Sequence, residues 1–484
     1  METESVNQEK KSSLSPRLWE WLKTFSESLM AKVLEFGRKI KKTGQDDPRR
    51  VIHSLKVGFA LTLVSLFYYF QPLYESFGVS AMWAVMTVVV VFEFSVGATL
   101  GKGLNRGLAT LLAGALGVGA HHLASLSGNT GEPILLGLFV FLQATTSTFI
   151  RFFPKIKARY DYGLLIFILT FSLISVSGFR DDEILKLAQK RLSTIILGAS
   201  ACMVITIFVC PVWAGEDLHN LIANNLEKLG NFLEAFEAEY FKASKDGDSI
   251  DNNSFLEGYR SVLNSKASEE SLANFARWEP GHGRFQFRHP WKQYLKIGTL
   301  SRQCAYRIEA LNGHLNADAQ VSPEILSIIQ EACRKMCLES SKALKELALA
   351  VKTMTKPSVA DTHIANSKAA TKNLKSLLQS SLWEEADLLA VIPAATVASL
   401  LIDVVDCAEN IADSVNELAS VANFKSVDST VSPEKSKLQQ SDTADLDPKT
   451  DSPHVVITVC ESTLALTENG IVHPVSLPGQ HNQV

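Results

Sequence analysis

Ala81-Met-Trp-Ala-Val-Met-Thr-Val-Val-Val-Val-Phe92 runs for twelve residues without a charge, and Leu164-Leu-Ile-Phe-Ile-Leu-Thr-Phe-Ser-Leu-Ile-Ser-Val176 does so for thirteen. A helix in the core of a soluble protein carries a polar stripe at the helical period, and neither run has one. Windows of about 20 residues, the length a bilayer core demands, extend the pattern to six candidate spans. They lie at roughly 51–71, 79–96, 103–122, 133–152, 161–178 and 191–212. The predicted fold class is therefore all-α, with a six-span transmembrane helical domain followed by a cytosolic helical bundle.

Charge distribution supports that division. The 484 residues include 47 Lys or Arg and 51 Asp or Glu, a formal net charge of −4. Residues 51–213 carry only 18 of those charges on 163 positions, whereas the other 321 residues carry 80. One third of the chain suits a low-dielectric solvent and the rest suits water. This excludes a wholly soluble protein, a nucleic-acid binder of the basic-groove type and a mainly disordered chain. The seven cysteines are odd in number and no CxxC occurs, so neither a disulfide framework nor a standard zinc site is expected. Cys333 and Cys337, four apart, read as buried thiols.

The ends and loops give the organisation. Residues 1–50 are charged, with Trp19, Leu22, Phe25, Leu29, Val33 and Phe36 at helical spacing, which predicts an amphipathic cytosolic segment. Residues 51–213 form the pore domain and residues 214–424 a cytosolic bundle of amphipathic helices at 215–245, 291–315, 323–355, 362–380 and 384–422. The tail, 425–484, is rich in Ser, Thr, Asp, Lys and Pro and reads as disordered. Ser432-Pro433 and Ser452-Pro453 there are open to kinase action. Arg49, Arg50, Lys56, Lys102, Arg106, Arg151, Lys155, Lys157 and Arg159 fall on one side of the predicted membrane. By the positive-inside rule both termini are then cytoplasmic.

No nucleotide-binding, metalloprotease or hydrolase motif is present, and the chain reads as a non-enzyme without a cofactor. Gly97 to Gly103 reads as a tight turn between two spans. Gly107, Gly114, Gly117 and Gly119 on span three are the small residues that let helices pack closely in lipid. Basic groups near apolar spans mark a route for ions. Arg106 opens span three and Arg191 opens span six, where the helix N-terminus adds positive potential. Each is expected either to set topology as a snorkelling cation or to line an anion path, the second reading being favoured at Arg191, with Lys102 beside the path. Glu93, inside span two, is expected to pair with Lys102 or Arg106.

Asp47-Pro-Arg-Arg50, the run from Ala81 to Arg106, Phe152-Phe-Pro154, Pro211-Val-Trp-Ala-Gly215 and Trp278-Glu-Pro280 closely resemble the plant aluminium-activated malate transporter family. The resemblance covers about residues 45–424. It implies a gated, passive homodimeric anion channel for malate and other anions, in contact with membrane lipids. The plasma membrane is favoured over the vacuolar membrane. By position it makes Arg106 and Arg191 pore-lining arginines and Met86 a neighbouring apolar constriction. It also makes Glu75 and Asp182 two acids of an aluminium-sensing set whose third position is Lys186, a reversed charge. Trp278, Glu279 and Pro280 read as a packing hinge involved in gating. The alternative is a proton-coupled organic-acid exporter of the fusaric-acid-resistance type, for which Glu93 would be the essential carboxylate.

Overall fold

The computed structural model describes residues 14–70, 81–178, 184–241, 258–315, 323–379 and 388–426. Among them there is no strand, only two isolated bridges, His282 with Phe285 and Thr355 with Lys425. The first helices in chain order are α1 (Leu14–Asp46), α2 (Pro48–Tyr69), α3 (Ala81–Val91), α4 (Val96–Ser125), α5 (Gly128–Ile150), α6 (Pro154–Gly178) and α7 (Ile184–Phe208). They continue with α8 (Ala214–Tyr240), α9 (Tyr259–Leu263), α10 (Lys266–Ala276), α11 (Trp291–Leu315), α12 (Pro323–Thr353), α13 (Ser358–Leu378) and α14 (Leu388–Val421). The tail beyond residue 426, with both Ser-Pro sites, lies outside the described residues.

Five helices are long and apolar enough to cross a membrane by length and composition: α4, α5, α6, α7 and the Val391–Val421 part of α14. The first four match expected spans three to six. Spans one and two do not reach that mark alone. Helix α2 carries Arg49, Arg50, His53 and Lys56 in its first three turns. The described part of α3 has 11 residues, about 16 Å at 1.5 Å each. Helix α14 has its apolar face inside the bundle instead, where Val397, Leu401, Val404, Val405, Ile411 and Val415 are buried.

Two packing environments result. In the first, Ala60 and Val64 of α2, Ala84 and Val88 of α3 and Cys202 and Ile205 of α7 make one small core. Ala113 and Ala120 of α4 with Phe171 of α6 make another. Large apolar side chains such as Leu108, Leu116, Phe141 and Val204 stay exposed on the outside, as lipid-facing helices require. In the second, α8 and α10 to α14 close around Leu218, Leu226, Phe232, Tyr294, Cys333 and Cys337, all buried. Burial pushes the Cys333 thiol up to about 12, so this pair is an inert part of the core. Helix α1 keeps its apolar stripe open, with Phe25, Leu29, Val33 and Phe36 exposed.

Two sequence expectations are corrected here. The turn between α3 and α4 is Phe92–Ser95, not Gly97–Gly103. The Ser95 hydroxyl accepts from the Ala98 N–H at 3.3 Å and starts α4 there. Thr99 locks the turn, its Oγ1 accepting from the Glu93 N–H at 3.0 Å. Gly97 and Gly101 are helical and serve close approach: a Cβ on Gly97 would collide with the Phe275 carbonyl, and one on Gly101 would meet the Trp278 ring at 2.9 Å. Of the four glycines assigned to packing, Gly114 and Gly117 face Ile174 at 3.7 and 3.0 Å, but Gly107 and Gly119 face open space.

Candidate functional site

Among the described residues only three Lys or Arg side chains are buried: Lys56, Arg106 and Arg191, at 3, 4 and 8% exposure. All three belong to the apolar helices. Insertion scales put a cation at the centre of an apolar helix at about 2.5–3.5 kcal/mol, so such residues persist where they do a job. None of the three is ion-paired to a carboxylate among the described residues.

Arg106 sits in the third turn of α4, about 15 Å beyond Val96, rather than opening the span, because the Ser95 cap starts the helix earlier than expected. Its Nη1 donates to the Tyr162 hydroxyl of α6 at 2.9 Å, while its Nε is buried without a partner. One turn further, the Thr110 hydroxyl is also buried and unpartnered. Arg191 lies two turns inside α7, since that helix begins at Ile184. The N-terminal partial charge fades within the first turn, so it contributes little there. The Arg191 guanidinium instead lies 4.0 Å over the Trp83 ring of α3, and its Nε is buried without a partner. The two guanidinium groups are close enough to act on each other electrostatically. Two desolvated cations with unused donors and no carboxylate partner among the described residues leave unsatisfied positive charge inside the apolar helices.

Lys102 is placed differently. It pairs with Glu93, which stands in the Phe92–Ser95 break and not inside a span, and its ammonium lies 5.8 Å from the Tyr162 ring. Tyr162 thus touches both basic residues of α4. Met86 is on α3 one turn from Trp83, its side chain half exposed. Glu75 and Asp182 lie outside the described residues, and Lys186 falls in the first turn of α7. No group of three His, Cys, Asp or Glu suited to a metal exists among the described residues.

Trp278, Glu279 and Pro280 lie at a seam between the two packing environments. The Glu279 carboxylate, 5% exposed, accepts from the Ala214 N–H at 2.6 Å and the Gly215 N–H at 3.0 Å, the first residues of α8. It also accepts from the Gly97 N–H at the start of α4. Burial pushes its carboxyl above the ordinary range, and the Gly215, Ala214 and Gly97 donors oppose that. One carboxylate therefore caps two helices at once. The Trp278 ring lies on Gly101, and the Pro280 carbonyl accepts from His282 Nδ1 at 3.0 Å. His282 stacks on Trp213 at 3.7 Å. A second tie joins α2 to α8, where Arg49 Nη1 donates to Asp217 at 3.0 Å.

Sequence reading missed Trp83, Tyr162 and Thr110 beside the two arginines, and the burial of Lys56. Lys56 had a usable signal: it is the last cation before an unbroken apolar run to Tyr69. Its Nζ donates to the Cys210 carbonyl at 3.1 Å. Trp83 and Tyr162 had none, because their partners are 108 and 56 residues away in the chain.

The family model described as aluminium activated malate transporter matches residues 41–385. The chain is 60% identical over 399 residues to aluminum-activated malate transporter 2 of Arabidopsis thaliana, covering 82% of this chain and 80% of that one. It is 57% identical over 425 residues to transporter 7 of the same plant, covering 82 and 84%. Transporter 1 of Triticum aestivum is 48% identical over 404 residues, covering 82 and 87%.

Proposed function

The chain belongs to the aluminium-activated malate transporter family, and we propose from that membership that it is a gated, passive channel for malate and other anions. It is a multi-pass membrane protein. The observation that supports the reading is the pair Arg106 and Arg191, both buried, within electrostatic reach of each other, without a carboxylate partner among the described residues and each with an unused Nε donor.

The mechanism follows from charge. A dianion loses several kcal/mol per charge when stripped of water, and paired guanidinium groups offset that loss with charge-assisted bonds. Tyr162 holds Arg106 and Trp83 holds Arg191, so both cations are oriented before the anion arrives. Lys102 stands one turn before Arg106 beside the route, its charge offset by Glu93. The membrane potential supplies about 2.3 kcal/mol per charge per 100 mV, so a dianion needs no nucleotide. Met86 serves as the apolar constriction next to the pair. Trp278, Glu279 and Pro280 transmit bundle movement to α4, which makes the seam the gating element.

The finer features belong to the same proposal: the division at residues 50, 213 and 424, both termini in the cytoplasm, the plasma membrane as location, a homodimer, and kinase action on the tail. Modulation by Al3+ at Glu75 and Asp182 is weakened by Lys186, since a hard trivalent cation wants carboxylate oxygens. The exporter alternative needs a free intramembrane carboxylate, and Glu93 is paired with Lys102 outside the helices. Whole-cell recording with malate inside tests the channel. Arg191→Gln is expected to remove most of the current at unchanged surface abundance, with a reversal potential that follows the anion gradient alone. Undiminished current overturns the pore assignment, and a proton-dependent reversal potential overturns the channel.

A further inference from the structure

A lateral cavity of about 760 Å³ opens between α4, α5 and α6, on the outside of the apolar layer. Its walls are Leu108, Leu112, Leu116, Leu142 and Phe167. Along α4 it runs from Asn105 to Leu123, about 27 Å, close to the depth of an apolar bilayer core of about 30 Å. The lining is apolar toward Leu123 and polar toward the other end, where Asn105, Gln143, Thr146, Ser147 and Tyr160 stand.

That polar end is also the cationic end. Tyr160 meets Trp278 edge-on with ring centroids 6.4 Å apart. The residues preceding each ring, Arg159 and Arg277, are near enough for like charge to count: burial and Arg159 together push the Arg277 guanidinium below its ordinary value. Neither is ion-paired to a carboxylate among the described residues, whereas Arg151 nearby is taken up by Asp161 at 2.7 Å. Lys155 and Lys157 stand exposed on the same end of α6. A groove about as long as the apolar layer is thick, ending in two guanidinium groups within electrostatic reach of each other and without a carboxylate partner among the described residues, is complementary to an anionic lipid.

We propose that this groove holds an acyl chain of an anionic phospholipid, with its phosphate between Arg159 of α6 and Arg277 at the end of α10. The lipid thereby bridges an apolar helix and the bundle, beside the Trp278 seam. The site is separate from the Arg106–Arg191 pair and stands whether or not that pair conducts.

Native mass spectrometry of the full chain in nanodiscs tests it, with dioleoyl phosphatidic acid competed against dioleoyl phosphatidylcholine. Each basic residue near a membrane surface is worth about a fivefold preference for anionic lipid, so the pair should give about 25-fold. Arg159→Gln with Arg277→Gln is expected to bring that ratio close to one. Gly119→Phe adds a side chain where nothing lies within 4 Å, and is expected to cut retention of both long-chain lipids without unfolding the protein. Dihexanoyl phosphatidic acid and inorganic phosphate, which lack the long chain, should bind far more weakly than the dioleoyl lipid. Equal retention of the two dioleoyl lipids by the unmodified protein overturns the proposal. So does disulfide cross-linking between two copies bearing Leu116→Cys in the nanodisc, which would assign the groove to a second copy.

Discussion

Replacing Glu279 by alanine tests the seam most directly. The carboxylate accepts from three backbone N–H groups, those of Ala214 at 2.6 Å, Gly215 at 3.0 Å and Gly97. A hydrogen bond to a charged acceptor contributes about 1.5–3 kcal/mol, and a buried donor left alone costs about 1–3 kcal/mol. Three such donors would lose about 3–9 kcal/mol if their effects summed. Coupling through one side chain, and access of water to the two helix starts, bring the expected loss to about 3–5 kcal/mol, a large share of a domain's stability. Glu279→Gln keeps one acceptor oxygen but turns an N–H toward a donor, so its loss should be about half as large. Thermal unfolding of the detergent-solubilised chain should rank the proteins native, Gln, then Ala. Malate current per surface-labelled channel should fall in the same order, because α4 and α8 lose their common cap. An alanine variant with native melting temperature and native current per channel would refute the reasoning. Equal behaviour of the Gln and Ala variants would show that charge alone matters, and not the shared acceptor.

Other perturbations separate the remaining roles. Trp83→Leu removes the ring under Arg191, a contact of about 0.5–2 kcal/mol, and should lower malate conductance several-fold without altering surface abundance; single-channel recording checks it. Tyr162→Phe should release Arg106 and weaken malate more than chloride in competition experiments, since oriented donors matter most for a carboxylate. Gly101→Val should collapse surface expression because its Cβ meets Trp278, while Gly107→Ala, facing open space, should leave expression native. Burial holds His219 and His289 down to about 4, below the ordinary 6.5. Between those values the unfolded chain takes up protons that the folded bundle refuses. Stability should thus fall as pH drops from about 6.5 to 4, and His219→Gln should flatten the melting-temperature slope across that window.

Much of the architecture was legible in the sequence because apolar helices in lipid need no polar stripe, and a long run without charge has few other readings. Helices at 215–245, 291–315 and 323–355 in the sequence reading match α8, α11 and α12 within a few residues, since their amphipathic spacing fixes the buried face. The start of α4 was misplaced because Gly97, Gly101 and Gly103 are turn residues by composition alone. Only the neighbouring Phe275 carbonyl, Trp278 ring and Met203 side chain reveal that they serve packing. Helix α14 resembles a span in composition because a helix sheathed by α11, α12 and α13 and one sheathed by lipid face the same physics. Arg106 and Arg191 could be singled out from sequence as basic groups on apolar spans, but the groups they meet could not, as Tyr162 and Trp83 reach them only through tertiary packing.

The shared cap at Gly97, Ala214 and Gly215 gives α4 a fixed foot. The Val96 N–H donates to the Val212 carbonyl at 2.9 Å, so the foot is held at two points within two residues. With the foot held, α4 can move by pivoting. Arg106 is ten residues along, about 15 Å from the pivot, and the far end at Ser125 is about 44 Å away. A tilt of about 5° shifts Arg106 by about 1.3 Å and the far end by about 4 Å. Such a pivot would be a lever of unequal arms, moving Arg106 by less than a hydrogen-bond length while swinging the far end of α4 through most of a helix turn.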